Sequence, residues 1–327
     1  MAPIVSVVIP TFNRSTLLIN AIESVLAQTY KDYEIIVIDD GSTDDTREKL
    51  RPYMERVRYF YQDNRGASAA QNKGIGVARG KWVSILASDD VWLPTKLENQ
   101  LRAIATLGDE FGACFTDCIY AGNPELKLSA FQQAGLNIRT EFGPLEDPTK
   151  YILGKYLPFF VQSLLVMRSL LEELGGFDEA MVLGEDVDLI FRLAFKTRFC
   201  LVSAPLVRID QTPSRPRLTE LYSHTSNQVF ASIEYRYRKW LALPQLLDPG
   251  TRQTIHESLR LLYYGWTIAR LKRRELAVAL EKMSDITQMG DNYATILFVL
   301  LSRAARKVAR ALRKPYSSFR GRRTACN

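Results

Sequence analysis

Histidine is nearly missing: the chain has two, His224 and His256, in 327 residues. Both fall in the C-terminal third, so a histidine-based triad or zinc site is not expected, and surface or interface roles suit them better. Cysteine is sparse too. Cys114, Cys118, Cys200 and Cys326 are irregularly spaced, and with no second pair or nearby histidine they read as buried, reduced thiols. Long apolar runs are lacking. The longest dense one, Ala294 to Leu301, falls far short of the roughly 20 residues that span a bilayer. No G-x-x-x-x-G-K-[ST] occurs, and "GIGVARG" (Gly74 to Gly80) has its third glycine one position late for a dinucleotide fingerprint and lies within a helical stretch.

Acids are missing from one end. Residues 292 to 327 carry nine of the 43 basic residues and no Asp or Glu, which leaves 34 basic against 36 acidic residues for the rest. A nearly neutral body argues against a basic nucleic-acid-binding body, and the cationic tail points to a local anionic partner.

What is present is an alternation. "IVSVVIP" (Ile4 to Pro10), "YEIIVIDDGS", "VRYFYQ" and "KWVSILASDD" read as strands. Between them "STLLINAIESVLAQT", with Ser15 as N-cap, "TDDTREKLRPYM" and "GASAAQNKGIGVARG" read as helices. Alternating strands and helices predict an α/β domain with a mostly parallel sheet. Ligands of such sheets bind beyond the carboxyl ends of the strands. Three motifs fall there: "PTFNR" (Pro10 to Arg14), "DDGS" (Asp39 to Ser42) and "SDD" (Ser88 to Asp90). They are distant in sequence and should converge at one edge.

Carboxylates at that edge suit Mg²⁺ or Mn²⁺, which commonly bind through one or two of them plus substrate phosphates. Asp89 and Asp90 also fit a helix cap, since "VWLPTKLENQLRAI" follows. Asp39 and Asp40 could equally serve the turn into the next helix, with Thr43 or Asp44 as its cap. About a hundred residues on, "GGFDEAMVLGEDVDLIFRLAF" makes a glycine turn and then opens a helix with Glu185, Asp186 and Asp188 crowded into four positions. Such crowding favours the helix dipole and can also raise a carboxyl pKa, as a general base requires. From about Arg217 the pattern becomes helical, with "QTPSRPR" (Gln211 to Arg217) as linker. The expected domains are therefore 1–215 and a helical extension, 216–327.

Taken together, "VSVVIPTFNR", "YEIIVIDDGSTDDT", "NRGASAAQNKGIGVARGKWVSILASDDVWLP", "GGFDE" and "GEDVDLIFRLA" closely resemble the family 2 glycosyltransferases with the GT-A fold, in order, over about Pro3 to Asp210. The resemblance implies an inverting transfer of a sugar from a nucleotide-sugar donor, UDP-linked for choice, with Mn²⁺ or Mg²⁺. It places Pro10, Thr11, Phe12 and Arg14 in the nucleotide pocket and Asp40 on the base. Asp89 would touch the ribose or assist the metal, and Asp90 would bridge metal and diphosphate. Asp186 would be the base on the acceptor hydroxyl, and Glu185 would shape the acceptor site.

The chain departs from the family pattern in places. Ala87-Ser88-Asp89-Asp90 stands where many relatives read D-x-D-D, and Ala70-Gln71-Asn72 where many carry Ala-Arg-Asn, with Arg65 as a substitute arginine facing the diphosphate. "LVRIDQT" lacks the histidine that often ends the core, and no Q-x-x-R-W follows, which argues against processive polymer synthases. A nucleotide-sugar-binding or scaffold protein with a degenerate site is the competing reading. A nucleotidyltransferase would need a Gly-rich basic loop near the N-terminus.

The last helical stretch places Leu297, Leu300, Leu301, Ala304, Ala305, Val308 and Leu312 on one stripe with cations largely opposite. That pattern suits a membrane interface, or packing on the preceding helices or a second copy. The expected partners are a nucleotide-sugar, a glycan or lipid-linked acceptor and a peripheral membrane contact; homo-oligomerisation stays open and nucleic acid is not expected. "MAPIVSVVIP" has no basic n-region and no cleavage site, so the expected location is cytoplasmic, with the tail on the inner face of the membrane.

Overall fold

Val5, Val7, Val8 and Ile9 are wholly buried, and this β-branched run is the centre of the sheet. The computed structural model describes residues 2–212, 227–243, 247–273 and 275–290. They divide into two compact units, Met1–Thr251 and Arg252–Asn327.

In the first unit the strands are β1 (Val5–Thr11), β2 (Tyr33–Asp39), β3 (Arg58–Tyr61), β4 (Trp82–Ile85), β5 (Val91–Trp92), β6 (Ala113–Ala121), β7 (Phe142–Leu145), β8 (Leu164–Met167) and β9 (Phe199–Asp210). The helices are α1 (Ser15–Leu26), α2 (Thr46–Lys49), α3 (Ala67–Val77), α4 (Lys96–Leu107), α5 (Ala130–Gln133), α6 (Pro148–Ile152), α7 (Arg168–Glu173), α8 (Glu185–Leu193) and α9 (Asn227–Leu241). Among the described residues one sheet runs β3-β2-β1-β4-β8-β6-β9-β5, with β7 on β9. The half β3-β2-β1-β4 is parallel, as the alternation predicts. The other half is mixed: β8 is antiparallel to both β4 and β6, and β6 is parallel to β9.

Register decides where the strands end together. Thr11 pairs with Asp39, and Asp39 with Tyr61. The three parallel strands therefore finish at one level, and their following loops share one edge. Gly74 of α3 stands where a Cβ would collide with Val8. Its role is close packing of helix on strand, not phosphate binding.

Three sequence expectations shift. Ser15 is the first helical residue and not the cap; its N–H donates to Asp44 Oδ2, 3.2 Å away, from the β2–α2 loop. The expected helix over Thr43 to Met54 stops at Lys49 and continues as a 3-10 turn at Arg51–Tyr53, because Pro52 donates no N–H. The stretch expected as a helix from Val91 starts instead at Lys96. Pro94 holds its predecessors extended, and Val91–Trp92 pairs with β9.

α10 (Pro249–Lys272) begins at the end of the first unit and, with α11 (Leu276–Gln288), makes up the described part of the second. Ile255, Leu259 and Tyr263 are buried on one helix, and Ala279, Met283 and Ile286 on the other. These are the i, i+4 and i, i+4, i+7 spacings of apolar stripes. Lys282 Nζ sits over the Tyr263 ring, 5.5 Å from its centroid. No helix of the described residues is long and apolar enough to cross a membrane. The expected domain boundary at 215/216, His224, Cys326 and the stripe Leu297 to Leu312 lie outside the described residues.

Candidate active site

The three strand-end motifs meet. Asn13, the one described non-glycine residue at positive φ (51°), is a type that tolerates the left-handed region. Its backbone N–H donates to Ser42 Oγ at 2.9 Å, and its Oδ1 accepts from the N–H of Thr43 at 2.7 Å. "PTFNR" is thereby tied to "DDGS". Arg14 Nη1 pairs with Asp89 Oδ2, which ties it to "SDD".

The carboxylates at this edge differ in what they hold. Asp39 accepts from Ser42 N (2.8 Å) and from the Tyr59 hydroxyl (2.7 Å). Asp40 accepts from Gln62 Nε2 (2.7 Å), Arg65 N (2.9 Å) and Gly66 N (2.8 Å), and so shapes the loop that enters α3. Asp90 is buried and accepts from Gln162 Nε2 (2.7 Å) and Asp210 N (2.8 Å). It does not cap α4; it draws the 3-10 turn Val161–Ser163, just before β8, and the end of β9 to the strand-end cluster. Burial, then the neighbouring Asp89 charge, pushes Asp90 up to about 8.

Phe12 is 45% exposed and Pro10 half-buried at the rim. Two buried polar atoms here have no partner: Thr11 Oγ1 and Gln71 Oε1. Buried polar groups are normally satisfied, so both are poised for a ligand or ordered water. Arg65, expected to face the diphosphate, has its Nη2 on Glu179 Oε2 at 3.1 Å. Asn72 donates to Phe177 O (2.9 Å) and Glu179 Oε1 (3.0 Å) and accepts from Phe177 N (2.8 Å). "GGFDE" is thus fastened to α3 and to the Asp40 loop, with Gly175 and Gly176 both at positive φ in the turn.

The third acidic site resolves into two functions. Asp188 is buried and takes Arg192 Nε (2.8 Å), Lys239 Nζ (2.9 Å) and Trp240 Nε1 (2.9 Å). It is a structural node between α8 and α9. Among the described residues no such cation sits on the oxygens of Glu185 or Asp186. Asp186 Oδ1 accepts from Val187 N at 2.8 Å. Each residue retains some accessible surface, but protein packs closely around the carboxyl groups. Burial pushes Glu185 up to about 8, with the Asp186 charge adding to it, and burial raises Asp186 as well. The buried apolar face of α8 is Leu189, Ile190, Phe191 and Leu193, while Val187 and Ala194 are half-buried.

Sequence reasoning missed Asn13, Gln162, Glu179 and Asp210. Asn13 carried a signal, an asparagine in a turn directly after a strand. Gln162 and Asp210 carried none, because they reach Asp90 only through the sheet, where β8 pairs with β4 and β6, and β9 with β6. Cys114, Cys118 and Cys200 are buried free thiols, and His256 is exposed. Among the described residues no cluster of three or more His, Cys, Asp or Glu surrounds one point.

Comparison with known proteins agrees with this geometry. The model of the family described as glycosyl transferase family 2 matches residues 6–175, just over half of the chain, and ends before Glu185. An uncharacterized glycosyltransferase of Rickettsia prowazekii is 32% identical over 193 residues, covering 58% of this chain and 58% of the relative. The chain spans between 27% and 58% of the length of the Rickettsia relatives it matches. The succinoglycan biosynthesis protein ExoO of Rhizobium meliloti is 28% identical over 311 residues, covering 89% of this chain and 83% of that protein. Among solved structures, S. aureus TarS 1–349 in complex with UDP-GlcNAc superposes with a TM-score of 0.68 at 16% identity, covering 89% and 82% of the two chains. That likeness fixes the fold as GT-A.

Proposed function

The chain belongs to glycosyl transferase family 2, and we propose that it is an inverting, non-processive glycosyltransferase. In this reading it moves a sugar from a nucleoside-diphosphate sugar, a UDP-sugar for choice, to a hydroxyl of a glycan or lipid-linked acceptor. Two similarities support the substrate classes: the TarS structure is a complex with UDP-GlcNAc, and ExoO is named for succinoglycan biosynthesis.

The observation that carries the reading is the shared edge. Thr11, at the end of β1, and Arg14, Asp40, Asp89 and Asp90, on the following loops, are joined by Asn13 and the Arg14–Asp89 pair, and buried polar atoms of Thr11 and Gln71 are left unpartnered. Pro10, Thr11 and Phe12 would line the nucleotide pocket with Asp40 at the base. Arg14 places a cation next to the diphosphate, and Arg65, paired to Glu179, borders the same loop.

The donor set fits a divalent ion. Asp89 and Asp90 offer hard oxygens, each Asp90 oxygen keeps a second lone pair beyond its one hydrogen bond, and like charge between the two calls for a cation. Asp90 would hold Mn²⁺ or Mg²⁺ with Asp89 assisting, and the remaining ligands would come from diphosphate and water. When bound, the ion supplies charge compensation for the leaving diphosphate. The protein's own part is proton removal. Asp186 takes the acceptor hydroxyl proton while that oxygen bonds to the anomeric carbon and the bond from that carbon to the diphosphate oxygen breaks. Attack from the face opposite the leaving group inverts the centre. Glu185 borders the acceptor.

A panel of nucleotide-sugars tested by thermal shift with and without Mn²⁺ checks the donor half. One nucleotide-sugar should raise the melting temperature in a concentration-dependent way, more so with the ion. No shift with any donor at millimolar concentration contradicts it.

A further inference from the structure

The carboxylates assigned to the acceptor side lie past the region the family model matches, and so does the helix that secures them. α9 makes a row of polar contacts onto the 178–188 stretch. Ser232 Oγ accepts from Val182 N at 3.2 Å, and Tyr235 OH donates to Asp178 Oδ2 at 3.1 Å. Lys239 Nζ reaches Asp178 (2.7 Å) and Asp188 (2.9 Å), and Trp240 Nε1 reaches Asp188 (2.9 Å). The Trp240 ring is stacked on Phe191 of α8, with centroids 3.8 Å apart. One helical turn before Trp240, on the same face, stands Arg236.

Its guanidinium lies over Gly184, the residue that opens α8. Gly184 has φ +80°, and a Cβ there would collide with Arg236. Two features fix the side chain. It rides over the rings of Trp240 and Tyr237, 5.2 and 5.4 Å from their centroids, and its Nε is buried. Among the described residues that Nε has no hydrogen-bond partner, so no carboxylate of theirs caps the inner side of this cation. The next two residues after Gly184 are Glu185 and Asp186.

We propose that Arg236 is a positioning residue for the acceptor side: carried by α9 over Gly184, its guanidinium is the fixed counter-charge that favours the ionised form of Asp186 for proton removal. The inference rests on the reading of Asp186 as base. Other charged groups around the pair are engaged elsewhere. Asp188 holds Arg192, Lys239 and Trp240, and Asp178 holds Lys239. Glu179 holds Arg65 and Asn72. On α6, which packs against α8, Lys150 is exposed and over the Tyr151 ring. Arg236 acts against burial, which drives both carboxyl groups toward the neutral form. It also explains why glycine stands at 184: a side chain would push the cation away.

The test is a ¹³C NMR titration of aspartate carboxyl groups in the full chain, with the Asp186 signal assigned by its loss in Asp186→Asn. In Arg236→Met the Asp186 midpoint should rise by about one pH unit or more, and Arg236→Lys should restore most of the difference. An unchanged midpoint in Arg236→Met overturns the proposal. If that variant does not fold, Arg236→Gln, which keeps length and polarity without charge, decides in the same way. Turnover of Asp186→Asn is measured separately. Full activity there removes the base reading, whereas the titration still decides whether Arg236 is the counter-charge.

Discussion

At the residue scale the acids of this chain look alike in sequence and are unlike in the fold. Asp188 sits two positions from Asp186, yet it meets two cations and an indole N–H while Asp186 meets a backbone N–H. Spacing alone could not separate them, because two of the three distinguishing groups, Lys239 and Trp240, come from α9, about fifty residues on. The pair at Asp89 and Asp90 was legible as a strand-end feature. That Asp90 would be buried under Gln162 was not, since no local pattern announces a partner across the sheet. The raised Glu185 carboxyl makes a prediction with a definite sign. A carboxyl held up to about 8 in the fold favours folding only while protonated. Its contribution is therefore complete below the ordinary glutamate range and is lost as pH rises through about 4.5 to 8. Glu185→Gln should melt about 4 °C or more above the parent at pH 8 and together with it at pH 4, read by calorimetry. Equal differences at both pH values would show that burial of Glu185 is not the cause.

At the element scale the parallel half of the sheet could be read from the alternation of apolar strands and amphipathic helices, and the convergence of their ends followed. The mixed half could not. β8 is four residues long and β5 two, too short for periodicity to register, and their partners lie 40 residues or more away in the chain. Proline moved two helix boundaries, at Pro52 and Pro94. α9 was expected as part of a helical extension, but it lies within the first unit through Trp240, which is 1% exposed. Trp240→Ala removes the stack on Phe191 and leaves Asp188 without one of its donors. It should cost about 3–5 kcal/mol in urea unfolding and loosen the 178–188 stretch, seen as faster amide exchange there. A cost below about 1 kcal/mol would mean that α9 is not the anchor described.

At the scale of the whole molecule, one nearly neutral body carries a cationic C-terminal segment. Its composition motivates the proposal that the acceptor is membrane-proximal. The full chain should float with anionic liposomes at low salt and a chain ending at Gly290 should not, because each cation near an anionic leaflet adds about 1 kcal/mol. Equal flotation of the two would end the membrane proposal and leave the transfer reaction standing. The proposed reaction assigns proton removal to Asp186, and it is tested most directly by comparing sugar transfer in the parent chain and in Asp186→Asn, with the donor that gives the largest thermal shift. The account predicts unchanged donor binding and a turnover lower by about 10²–10⁴-fold, the usual worth of a general base; transfer at the parental rate in Asp186→Asn would contradict it.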